Sequence, residues 1–332
     1  MNHECQYCAA YHFIDETSGL AQQEEFEICC KKGDVTLQPL KAPPSYLRSL
    51  YQDQDPRGRE FRQNIRRYNS ALAFTSLNYN KDTRVSLNHG IQTFRIHGDL
   101  YHLQGPLEPG SHEPPVFAQL FFYDPEFAAN ARARQHPECN REILSQLALE
   151  LQGCNPYISI YKSALERLRA DAVANLEPLR LILSPQMRLI MEKGADRRRE
   201  NLPTSNELAV IIPDEFDQDS RRDIILALRD PVDADGRRRP QLTRIDVTHA
   251  AYMPLHYVLL FPNGDYGWHY ALTLRDHQNR RKESSTRLQQ RQFYRYRLHV
   301  RKDEFSVLFY ACRLFQQYVV DAFAACETTK LT

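Results

Sequence analysis

The sequence predicts an α+β chain with a small cysteine-rich unit at the N-terminus, a mixed helix-and-strand body, and a helical segment at the C-terminus. Three observations predict it. Four of the eight cysteines, Cys5, Cys8, Cys29 and Cys30, crowd into the first thirty residues. Apolar residues recur at helical spacing in several stretches, as at Phe61, Ile65, Tyr68 and Leu72. Between them lie short alternating or apolar-aromatic runs bounded by glycine and proline, the pattern of strands.

In chain order, the cysteine-rich unit covers residues 1–42. Pro43 and Pro44 then mark an extended linker, because a residue before proline is pushed out of the helical region. A segment of helix, β-hairpin and further helices spans 43–178. Within it, 45–77 reads as helix, Thr93–His97 and Val116–Tyr123 as strands, His97–His102 as a structural hairpin, and 125–135, 140–152 and 156–173 as helices. Asn140 is the expected N-cap, with Ile143, Leu147 and Leu151 on the apolar face. A β-rich segment covers 179–278, with strands expected at Leu179–Leu183, Glu207–Ile212, Asp223–Leu228, Leu242–Val247 and Tyr257–Phe261. Arg197–Arg199 and Asp230–Pro240 read as exposed loops, and Trp268 as a buried anchor. The last segment, 279–332, is basic and helical. Phe305, Leu308, Phe309, Cys312, Phe315, Gln316, Val319 and Phe323 form an apolar stripe there. No glycine or proline closes that helix, so the C-terminal segment reads as truncated.

Composition narrows the class. Charged residues at 26% and hydrophobic ones at 42% are ordinary for a soluble globular chain. No apolar run approaches the ~18 residues of a membrane span. Met1–Cys5 lacks a secretory signature, which points to an intracellular protein. The net charge of +1 excludes global basicity, so any nucleic-acid contact must come from local patches.

In an intracellular chain, crowded cysteines point to a metal rather than to disulfides. Cys5 and Cys8 form a C-x-x-C knuckle, which supplies two zinc ligands on a tight turn. Cys29 and Cys30 complete a four-sulfur set. Adjacent cysteines point apart, so both reach one ion only if the backbone kinks there, and Gly33 is placed to help. His3 or His12 is the alternative fourth ligand. A group of reduced thiols that binds nothing is the competing reading. A forty-residue unit has little core, which favours a metal staple. The remaining cysteines read as core or surface thiols.

Local basicity is the second signal. From Arg280 to Lys302 there are nine lysines and arginines against one acid, Glu283, with Phe293, Tyr294 and Tyr296 interleaved. Cations suit a phosphate backbone and aromatic rings suit stacked bases. The phosphate-binding residues expected are Arg280, Arg281, Lys282, Arg291, Arg295 and Arg297. The competing reading is a solvated helix face with core aromatics. Arg197–Arg199 and Arg237–Arg239 add smaller patches that read as solvated loops.

Catalytic motifs are missing. There is no GxxxxGK[ST] loop, no HExxH, no GxSxG and no His-apolar-His triplet of the kind a rolling-circle nuclease uses. No acid, base and nucleophile grouping stands out, so the chain is not expected to be an enzyme.

Seven segments in order resemble the N-terminal half of Helitron transposases, the Rep nuclease–helicases of eukaryotic rolling-circle transposons. They are the opening that ends CCKKGDV (29–35); FRQNIRRYNSALAF (61–74); FRIHGDLYH (94–102) with GPL (105–107) and FAQLFFYD (117–124); NLPTSNELAV (201–210); RDII (222–225); YMPLHYVLLFPNGDYGWH (252–269); and YRYRLHVR (294–301) with RLFQQYVVD (313–321). The resemblance covers essentially the whole chain. It departs from the family pattern at Glu200, where the family has tyrosine, and at His256, where it has glutamine. The resemblance implies that 279–332 begins the family's helicase-like N-terminal domain and that the catalytic motifs would lie beyond Asp321. It further implies DNA as partner, single-stranded or a transposon end, and nuclear residence. The function expected is a DNA-binding fragment without nicking or helicase activity. The alternative is a protein-interaction scaffold that self-associates through 305–323. No membrane partner is expected.

Overall fold

The computed structural model describes residues 2–17, 25–81, 96–110, 112–174, 180–183, 189–192, 224–226, 242–275, 286–302 and 304–331. Along the chain come β1 (His3–Glu4), β2 (Tyr11–His12), a 3-10 turn (Ile14–Glu16), α1 (Ser45–Gln52) and α2 (Pro56–Leu72). Next are β3 (Ser76–Lys81), β4 (Ile96–Gln104), a 3-10 turn (Phe117–Phe121), α3 (Pro125–Gln135), α4 (Arg141–Cys154) and α5 (Pro156–Ala174). The rest are β5 (Arg180–Leu183), β6 (Leu189–Glu192), β7 (Ile224–Leu226), β8 (Thr243–Ile245), α6 (Tyr252–His256), α7 (Gln290–Arg297), a 3-10 turn (Val307–Tyr310) and α8 (Cys312–Leu331). The fold is thus mixed helix and sheet, and among the described residues every paired strand is antiparallel.

Polar caps and prolines set the helix starts. Asp55 caps α2 by accepting from Gly58 N at 2.7 Å, with Pro56 in the first turn. That proline also divides the single helix expected over 45–77, because Asp55 before it is held extended. Asp124 caps α3, and Asn140 caps α4 by accepting from Glu142 N at 2.8 Å and Ile143 N at 3.3 Å. These helices and α5 lie within two residues of their expected bounds.

Other expectations are corrected. Val116–Tyr123 is not a strand. Gln119 Oε1 accepts from Val116 N at 2.9 Å, Phe117 adopts φ +48°, and the run closes into the 3-10 turn. His97–His102 is not a hairpin but the interior of β4, a continuous strand between β3 and β8. Tyr257–Phe261 is not a strand either. It is a buried series of turns after α6, in which Leu260 N and Phe261 N both donate to Tyr257 O. The final block is helical in separate pieces, α7, a 3-10 turn and α8, with 298–306 between α7 and the later elements. The apolar stripe is corrected with it. The face that α8 buries is Leu314, Tyr318, Asp321, Ala322, Ala325 and Cys326, whereas Phe323 is 51% exposed. Glu207–Ile212, Arg197–Arg199 and Arg237–Arg239 lie outside the described residues.

Two compact units result, Met1–Pro43 with Trp268–Thr332, and Pro44–Gly267. This division differs from the four consecutive segments read from the sequence, because backbone pairings join the two ends of the chain.

In the Pro44–Gly267 unit, α2 packs on α1 and α4. Two three-stranded sheets accompany the helices, in the orders β3-β4-β8 and β6-β5-β7. Tyr68 locks two helices together, its hydroxyl donating to Glu60 Oε2 and accepting from Asn140 N, both at 2.7 Å. Asn69 pins the buried turns after α6, donating to His256 O at 2.8 Å and accepting from Leu259 N at 3.2 Å. Arg132 is fully buried, and no carboxylate among the described residues pairs with it. Its Nε donates to Ala71 O at 3.1 Å, its guanidinium lies 4.6 Å from the Phe121 ring centre, and burial lowers its pKa to about 10.

In the other unit, Tyr11 N donates to Val300 O at 2.9 Å, Lys302 N to Ala9 O at 3.2 Å, and Arg275 N to Asp34 O at 2.8 Å. Trp268 is the buried anchor expected, its Nε1 donating to Leu288 O at 2.8 Å. The helices α7 and α8 meet through Tyr294 against Tyr318 and through Thr329 Oγ1 donating to Gln290 Oε1 at 2.8 Å. Among the described residues, no helix is long and apolar enough to cross a membrane.

Candidate metal centre

Two tight turns carry the four clustered cysteines. The first closes the β1–β2 hairpin. Cys5 N donates to Ala10 O and Ala9 N to Cys5 O, both at 2.8 Å, with Ala9 left-handed at φ +54°. This folds Cys5 and Cys8 onto one side of the turn. The second turn holds Cys29 and Cys30. Lys31 N donates to Glu27 O at 2.7 Å, and Gly33 N and Val35 N both donate to Cys30 O. Lys31, Lys32 and Gly33 follow one another at φ +50°, +53° and +88°. Lysine rarely adopts that conformation, so the chain is sharply bent directly after the two cysteines. Tyr7 closes over Gly33, where a Cβ would stand 3.1 Å from the ring.

The four sulfurs lie within 4.8 Å of one another. Cys5 Sγ and Cys29 Sγ are each 3.7 Å from Cys30 Sγ. A tetrahedron with metal–sulfur bonds of about 2.3 Å has edges of about 3.8 Å, so these spacings fit a tetrathiolate site. Cys5, Cys29 and Cys30 are buried and Cys8 is partly so. Gly33 N donates to Cys30 Sγ at 3.3 Å, an outer contact of the kind that orients a ligand.

Crowding splits the thiol acidities. Cys29, then Cys30 and Cys8, donate to Cys5 and hold its pKa well below the ordinary value. Donation from Cys29 and Cys30 lowers Cys8 to about 7. Cys29 is pushed up, foremost by Cys30 and then by Cys5 and Cys8. Cys30 is drawn down by Cys29, but Cys5 and Cys8 outweigh that and raise it. A divalent cation relieves this conflict, because it stabilises all four thiolates together.

The histidines offered as alternative ligands do not join the set. His12 Nδ1 donates to Glu16 Oε2 at 2.8 Å, and the ring stacks on Phe26 with centres 4.2 Å apart. His3 pairs with His12 in the β1–β2 ladder. Nothing in the sequence pattern marked Phe26, Glu16 or Arg301 as neighbours of this centre. Arg301 lies 293 residues from Cys8, and its position at the centre comes from the Ala10–Arg301 bridge.

The expected phosphate-binding residues fare unequally. Arg291 and Arg295 are exposed one turn apart on α7. Arg297 is half-buried and committed to the backbone, donating to Gln38 O at 2.7 Å. Arg280, Arg281 and Lys282 lie outside the described residues. The expectation that Phe293, Tyr294 and Tyr296 stack on bases is corrected, since all three are buried between α7 and its neighbours. A cleft of about 430 Å³ separates the Cys29–Lys31 turn from α7. Its lining mixes Asp15, Glu16 and Glu27 with Lys31 and Arg295, so it is not a uniformly cationic groove.

No protein-family model and no curated protein matches this chain.

Proposed function

We propose that this is a DNA-binding protein derived from a Helitron transposase, that a structural zinc ion organises its cysteine unit, and that it has no nicking or helicase chemistry of its own. The observation that carries the metal reading is the convergence of Cys5, Cys8, Cys29 and Cys30 at tetrahedral spacing on two kinked turns. Soft sulfur donors favour zinc over magnesium or calcium. Four protein ligands leave no open position for a reacting water, which favours a structural role. The DNA reading is supported by the seven ordered segments and by the exposed pair Arg291 and Arg295. Its partner is single-stranded DNA or a transposon end, and nuclear residence goes with that ancestry.

The test is binding to single- and double-stranded DNA across a salt series, with and without a zinc chelator. Affinity should fall with salt and with chelation. Alanine at Arg291 or Arg295 should each lower the salt slope by about one. No binding at low salt with zinc present removes the DNA reading and leaves the metal reading standing.

A second reading, a protein-interaction scaffold, is favoured by one observation. Val320 and Phe323 on α8 are 57% and 51% exposed. Sedimentation showing a monodisperse monomer counts against self-association there.

A further inference from the structure

Arg301 is a buried cation with an incomplete set of partners. It is 9% exposed, and its Nε is buried without a hydrogen-bond partner. Its guanidinium lies 3.6 Å from the centre of the Tyr296 ring, and Nη1 donates to His299 O at 3.2 Å. The carboxylate that reaches it among the described residues, Glu304 Oε2, stands at the 4.0 Å limit of an ion pair. Nη2 faces Cys8 Sγ, also at 4.0 Å, the outer limit of an N–H···S contact. The backbone fixes this placement. Ala10 bridges Arg301, and the flanking Val300 and Lys302 pair with Tyr11 and Ala9.

Burying a guanidinium is costly unless a negative charge compensates it. A ring face and one carbonyl meet part of that need. A neutral thiol adds little. Four thiolates around a divalent cation are different, because they leave two excess negative charges on the centre. Among the described residues, Arg301 is a buried cation that reaches this set, at Cys8. We propose that Arg301 is a positioning residue of the metal centre, whose positive charge at Cys8 stabilises the metal-loaded tetrathiolate and so couples metal uptake to docking of the 300–302 segment against the Cys5–Ala10 turn. This rests on the metal reading given above.

The experiment is cobalt(II) titration of the full chain, followed by thiolate-to-cobalt charge-transfer absorbance, with affinity set by chelator competition. Arg301→Met removes the charge at similar length, and Arg301→Lys keeps it. Arg301→Met should weaken cobalt binding by about 10- to 100-fold, the range seen for outer-shell partners of metal ligands. It should still reach the full band at saturation, which shows that the four thiolates assemble. Arg301→Lys should keep most of the wild-type affinity. Equal affinity for wild type and Arg301→Met overturns the inference alone. So does an equal loss in both variants, because charge is then not the agent. A wild-type chain that shows no charge-transfer band overturns the metal reading together with this one.

Discussion

Lys31, Lys32 and Gly33 place three left-handed residues in a row directly after the adjacent cysteines. A lysine in that region costs about 1–2 kcal/mol, so other interactions must hold the turn, and the metal proposed above would supply them. Gly33→Ala should therefore destabilise the cysteine unit by about 1 kcal/mol or more, through its φ of +88° and the Tyr7 ring 3.1 Å from the new Cβ. Thermal melts of the metal-loaded chain measure this, and an unchanged midpoint would contradict the strain argument. Titration provides a separate test within the Pro44–Gly267 unit. Burial lowers the pKa of His136, with Glu138 and Arg67 as smaller opposed influences. Because the folded value lies below the unfolded one, near 6.5, the stability His136 contributes is present above that value. It is lost as pH falls through 6.5 toward the folded value. Denaturant melts of the Pro44–Gly267 unit should weaken from pH 7.5 to 5.5, and His136→Gln should reduce that slope.

The elements most legible in the sequence are those whose signals are local. The bounds of α3, α4 and α5 follow from Asp124, Asn140, Pro125 and Pro156 together with apolar spacing. Asn140→Ala should cost about 1 kcal/mol, because it leaves the amides of Glu142 and Ile143 without their side-chain acceptor. Chemical denaturation measures it, and a change within error would mean that water replaces the cap. Elements whose identity depends on distant partners are not legible in this way. Tyr257–Phe261 has the composition of a strand, but the Asn69 side chain occupies His256 O and Leu259 N, and no strand ladder forms there. Phe305–Phe323 has helical spacing throughout. The chain nevertheless breaks before Cys312, which takes φ +46°, and this moves the buried side of α8 to Leu314, Tyr318 and Ala322.

For the whole molecule, metal loss should act unevenly. The pairings of Tyr11 with Val300 and of Lys302 with Ala9 run beside the cysteine turns, so hydrogen exchange at these amides should accelerate on chelation. Amides in α2, α4 and α5 belong to the other unit and should keep their protection. Uniform acceleration across both units would contradict a metal staple confined to one of them.

By itself the sequence determined the mixed helix-and-strand class, the bounds of α3 to α5 with the cap at Asn140, and the four cysteines as one group. Each of these depends on residue chemistry acting over a few positions, or on a residue type rare enough that clustering is informative. The tertiary structure alone decided that residues 1–43 join 268–332, that the sulfurs of Cys29 and Cys30 come together with those of Cys5 and Cys8, and that Arg301 faces Cys8. It also decided that Phe293, Tyr294 and Tyr296 serve the core while Arg291 and Arg295 face solvent. The joining of the two ends and the placing of Arg301 depend on backbone pairing between residues nearly three hundred positions apart, and local periodicity carries no record of such partners.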